Sequence, residues 1–145
     1  MIYYHKYMKF ENVFEAEYKI QELITNDNNC SAHFEYEKMS DNTYELACTT
    51  YNPIHKKCFL LHKCQEKTKL AAVNEMYNHI FNLKTSLDKK DSPYLLYTIE
   101  WYCPEANKSI TSTFYGDSIE QVLLKFNYGK KNKLTIYSMK LNPIC

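Results

Sequence analysis

A chain of 145 residues with 45% hydrophobic content carries enough apolar material for one domain, or for two small halves around a shared core. All 18 basic residues are lysine and the net charge is +1. That balance excludes nucleic-acid binding driven by a global positive field, and it removes the guanidinium fork that grips phosphate through two bonds. With only Gly116 and Gly129 present, a Walker-type phosphate loop, a dinucleotide fingerprint and a glycine-flanked serine elbow are excluded as well.

The first predicted element is a helix over 13–25, where Val13, Ala16, Ile20, Leu23 and Ile24 recur at helical spacing. Asn12 followed by Glu15 has the form of a capping pair, and the polar run Asn26-Asp27-Asn28-Asn29 ends the helix. Alternation of Ala32, Phe34 and Tyr36 with His33, Glu35 and Glu37 predicts a half-buried strand over 32–38. The turn chemistry of Ser40-Asp41-Asn42 leads to a second strand over 43–50, and a third, more buried one follows over 57–63. The longest helix is predicted from Thr68 to Leu87 on the stripe Leu70, Val73, Tyr77, Ile80, Phe81, Lys84 and Leu87.

The run Lys89-Lys90-Asp91-Ser92-Pro93 marks the boundary between a first half, 1–88, and a second, 93–145, expected to form one compact unit. Strands are predicted over 94–103 and 108–115, with Tyr97, Ile99 and Trp101 on one face of the first and Ile110, Ser112 and Phe114 on one face of the second. A short helix over 118–127 is expected to be capped by the pair Asp117 and Glu120 and closed at Gly129. A last strand over 133–141 stops before Pro143. The fold class is therefore α+β, in the order αβββα then ββαβ, with mostly antiparallel sheets packed by three helices. Unpaired edges at 32–38 or 133–141 leave a homodimer by strand addition open.

Six cysteines, without a leader-like N-terminal stretch, are expected as free thiols of a cytoplasmic protein. No apolar run approaches the roughly 18 residues needed to span a bilayer, so no membrane partner is expected. Cys58 and Cys64, with His55 and His62, form the one cluster resembling metal ligands. Four ligands along a single strand close a tetrahedron poorly, so a core cysteine with surface histidines is the expectation there. No catalytic pair, metal site or cofactor is assigned.

The stretch TYELACTTYNPIHKKCF, residues 43–59, resembles the double-stranded-RNA-binding domain in Tyr44, Glu45, Leu46, Pro53, His55 and Phe59. Residues 18–23 are similar to that family's first helix, and 67–72 to the lysine-rich opening of its second. The pattern departs from the family in an extra strand before the motif loop and in the missing glycine-rich turn before the second helix. The resemblance implies recognition of A-form shape by His55, Lys56, Lys57, Lys63, Lys67 and Lys69.

Fourteen tyrosines, several alternating along strands, offer rigid amphipathic contact area, and Tyr94, Tyr102 and Tyr115 join the candidate binding residues. The leading expectation is a non-catalytic macromolecule-binding protein. In style it resembles phage or mobile-element accessory inhibitors of the anti-defence type, docking on a host protein or ribonucleoprotein. Binding of structured or double-stranded RNA is the alternative.

Overall fold

A computed structural model describes residues 8–25, 30–86 and 95–142. The chain runs α1 (Val13–Thr25), β1 (Ser31–Lys38), β2 (Tyr44–Asn52), β3 (Lys57–Glu66), α2 (Lys69–Ser86), β4 (Leu95–Cys103), β5 (Lys108–Gly116), α3 (Ile119–Asn127) and β6 (Ile136–Leu141). Two antiparallel three-stranded sheets result, ordered β1-β2-β3 and β5-β4-β6. The α+β class and the element order are those expected from periodicity. The expected helix stop at 26–29, the boundary run 89–93, and Leu87, Tyr94, Pro143 and Cys145 lie outside the described residues.

Local chemistry accounts for the helix starts. The Asn12 carboxamide oxygen accepts the Glu15 amide at 2.7 Å, and Thr68 Oγ1 accepts that of Ala71 at 3.0 Å. At α3 the cap is shifted one residue from the expected Asp117–Glu120 pair. Ser118 Oγ accepts the Gln121 amide, and Gln121 Oε1 accepts the Asp117 amide in return. A hydroxyl with glutamine three residues on thus satisfies two backbone donors reciprocally at the start of α3. Gly129 has φ of +70°, the left-handed conformation expected of it just beyond α3.

The first core lies between α1, α2 and one face of the β1-β2-β3 sheet, around Ile20, Leu46, Cys48, Val73, Met76 and Ile80. Asn74 and Asn78, one turn apart on α2, hold residues 8–10 against this half. Asn74 accepts the Phe10 amide at 2.7 Å and donates to its carbonyl at 3.2 Å, and Asn78 does the same for Met8 at 3.1 and 2.9 Å. The side-chain amides act as a short substitute strand, satisfying backbone groups beside buried Phe10.

The second core joins the halves. Trp101 and Ile99 of β4, Phe114 of β5 and Val122 and Phe126 of α3 enclose Phe59, which comes from β3 of the other sheet. The Phe59 ring stacks on Phe126 at 5.2 Å and meets Phe114 and Trp101 edge-on at 5.0 and 5.7 Å. A register shift makes this possible: Cys48 opposes His62 while Thr49 opposes Leu60, so Leu61 is an extra residue. The bulge puts Phe59, His62 and Cys64 on one sheet face, whereas uninterrupted alternation would group Cys58, Leu60 and His62.

Candidate docking cleft

The residues singled out by sequence are divided between the joint and the surface. His55 is buried at 6% exposure, its ring 5.3 Å from Trp101 and 5.5 Å from Phe59. The turn that delivers it is fixed by the Asn52 side chain, which accepts the Ile54 amide, and by Lys56 in a left-handed conformation at φ 58°. His55 Nδ1 accepts the Lys57 amide at 3.1 Å, and burial together with Lys130 and Lys57 lowers its proton affinity. His55 is thus a neutral wedge between the halves.

Lys57 pairs with Glu105 of the second half at 2.8 Å, and Lys63 pairs with Glu45 at 3.1 Å while its ammonium lies 4.9 Å from the Tyr128 ring centre. Lys69 stands over the rings of Tyr36 and Tyr44, and Lys56 and Lys67 are exposed. The lysines of 56–69 are therefore spread over ion pairs and aromatic faces, not gathered into one basic stripe. Tyr102 hydrogen-bonds Asn107 at the β4–β5 turn, Tyr115 is half-buried near the end of β5, and Tyr94 lies outside the described residues. Among the described residues, no group of three or more histidine, cysteine, aspartate or glutamate side chains is arranged to hold a metal ion. All five described cysteines are free thiols.

Two lysines missed by sequence reasoning fasten α3 into the joint. The Lys130 ammonium donates to the Phe126 carbonyl at 2.6 Å, capping the end of α3, and to the Cys58 carbonyl on β3 at 2.7 Å. It also lies 4.5 Å from the Phe59 ring centre. Lys125, 7% exposed, donates to the Tyr115 carbonyl at 2.6 Å. Burial lowers its pKa to about 8. Their only sequence signal is lysine within or just past an apolar helix stripe, which reads equally well as solvated ends.

Above this joint lies a cleft of about 540 Å³ between the two halves. One wall is the edge of β5, from Lys108 to Tyr115, with side chains of both strand faces bordering the space. The other wall is apolar: Ile80 and Leu83 of α2, Leu60 and Leu61 at the β3 bulge, Ile24 of α1 and Ile54 of the β2–β3 turn. Lys84, Lys108 and Lys125 border the cleft, and among the described residues no aspartate or glutamate lines it. A second, shallower groove runs over the other sheet face, past His33, Glu35, Tyr51, Cys58 and Lys130, and mixes both charges.

Among the described residues, no helix is long and apolar enough to cross a membrane. No protein-family model, curated protein or solved structure matches this chain.

Proposed function

We propose that this protein is a non-catalytic binding protein that docks on a partner protein through the cleft between its halves. The observation that carries the reading is the pairing of a β5 edge, on which no described strand pairs, with an apolar wall across an open cleft. Such a site presents main-chain donors and acceptors together with hydrophobic area, the combination that protein segments satisfy. The arginine-free, glycine-poor composition supports placing it with accessory inhibitors of phages or mobile elements. Inhibitors of that type need a complementary surface, not a reaction centre.

The test is a photo-crosslinking amino acid placed at Thr111 in the cleft wall or, as control, at exposed Tyr137 on β6. Protein adducts formed in cell extract from position 111 and absent from 137 support docking through the cleft. Equal adduct formation from both positions removes it.

Structured-RNA binding is the second reading, favoured by the αβββα order of the first half and by Lys67 and Lys69 flanking the capped start of α2. Its measurement is duplex-RNA affinity at two salt concentrations, for the wild type and for Lys67→Ala with Lys69→Ala. Salt-independent binding, or no loss in the double variant, counts against it.

A further inference from the structure

Resting on the docking reading, we propose that the cleft takes an extended, carboxylate-bearing peptide segment of the partner, added as a strand to the free edge of β5 with a carboxylate on Lys125. Three independent observations converge on this occupant.

The first is the hydrogen-bond parity of the edge. On β4, the Tyr102 amide bonds to the Thr135 carbonyl and the Leu96 carbonyl accepts the Asn142 amide, so even-numbered β4 residues point towards β6. Their β5 partners are Ser109 opposite Tyr102, Thr111 opposite Glu100 and Thr113 opposite Thr98. The main-chain groups of Ser109, Thr111 and Thr113 therefore point away from β4, along the edge that borders the cleft. An extended segment lying there meets a donor and an acceptor at every second residue.

The second is the facing wall. Exposed Ile54 and half-buried Leu60 and Leu61 present apolar area to one side of such a strand, which gives alternate side chains of the segment a place to bury, while Ile80 and Leu83 line the same space almost fully buried.

The third is Lys125. Its buried ammonium has three donors, one of which is taken by the Tyr115 carbonyl, and it forms no ion pair with a described residue. The charged or titratable groups that act on it are Asp117 at the start of α3 and the imidazoles of His62 on β3 and His79 on α2. A buried cation beside a cleft that no acidic side chain lines among the described residues calls for an anionic acceptor, and an arriving carboxylate restores the solvation that burial removed. Such contact raises the Lys125 pKa from about 8.

The experiment uses the full chain and an N-acetylated, C-amidated ten-residue peptide alternating Val with Glu, labelled for anisotropy. Its counterparts carry Gln in place of Glu, or N-methyl groups on alternate backbone amides. The expected result is at least about tenfold tighter binding of the Glu peptide than of the Gln peptide. Lys125→Met, verified as folded by the near-ultraviolet signal of buried Trp101, is expected to reduce that preference to near unity. Thr111→Pro, which removes one outward edge amide, and peptide N-methylation are each expected to weaken binding by about tenfold or more.

Equal binding of the Glu and Gln peptides, or indifference to N-methylation, overturns the proposal. Displacement of the peptide by decanoate at equal concentration also overturns it, assigning the cleft to small amphipathic acids. If Lys125→Met fails to fold, Thr111→Pro and the peptide pair still decide the matter. Position-111 adducts formed without any peptide preference leave docking standing and remove only the extended acidic occupant.

Discussion

The imidazole rings of His62 and His79 lie face to face, 3.4 Å between centroids and 10° from parallel, joining the bulged strand β3 to helix α2. Two stacked imidazoles this close are compatible only with at least one neutral ring. Burial lowers the His62 pKa to about 3 and the His79 pKa to about 4, with Lys125 on α3 adding repulsion to both.

Acid is therefore expected to weaken the joint. In the unfolded chain both histidines take a proton near pH 6.5, whereas the folded state holds them neutral to about pH 4 and below. The unfolded state binds more protons across that window. Stability is then complete above about pH 6.5 and falls as the pH drops towards 4, by roughly 2–4 kcal/mol for the pair. Denaturant midpoints at pH 7, 5.5 and 4 measure it. The slope is expected to flatten in His79→Gln, and a slope unchanged by that substitution sinks the assignment.

Asn74→Ala is expected to cost about 2–3 kcal/mol, because it strands the buried Phe10 amide and carbonyl without partners. The loss is local in the first instance. Hydrogen exchange at residues 8–12 should accelerate before exchange in the β2–β3 ladder does, and an unchanged Phe10 amide would contradict the clamp. Asn74→Asp retains the acceptor and loses the donor, so an intermediate cost is expected.

Lys130→Ala removes a helix cap, a link to the Cys58 carbonyl and the cation over Phe59 in one step. An order of 1–3 kcal/mol is expected, with Lys130→Met recovering the part due to the aliphatic stem. Equal losses for Ala and Met assign the whole effect to the ammonium. No loss for Ala removes Lys130 from the joint.

The elements were legible because each is written in a period. Val13, Ala16 and Ile20 predict α1, and Tyr97, Ile99 and Trp101 predict β4, as found. The cleft was not legible, since its walls come from Ile24, Leu83, Thr111 and Lys125, which no local spacing connects. His55 shows the opposite failure. A Pro-x-His loop beside lysines reads as a surface motif, yet the turn places its ring under Trp101. Asn74 and Asn78 escaped because polar residues inside a helical stripe read as its wet side, while here they face a backbone that needs them.

The bulge at Leu61 gives the sharpest test of how the halves are joined. Deleting that residue removes the bulge yet keeps the register, with His62 still opposite Cys48, Leu60 opposite Thr49 and Phe59 opposite Thr50. Phe59 then stays on its sheet face and the second core is expected to survive. Phe59→Ala, in contrast, takes from the second core the ring that touches Trp101, Phe114 and Phe126. Loss of a buried phenylalanine costs about 3–5 kcal/mol, enough to detach the second half in a marginally stable protein. Phe59→Ala is expected to redshift Trp101 emission while leaving the far-ultraviolet signature of α1 and α2 largely in place, and the Leu61 deletion to keep that emission near native. Phe59→Leu, which keeps the bulge and most of the volume, is expected to lose well under half as much stability. A Leu61 deletion whose Trp101 emission shifts as far as that of Phe59→Ala would show that the joint depends on the extra residue itself and not on the register of Phe59.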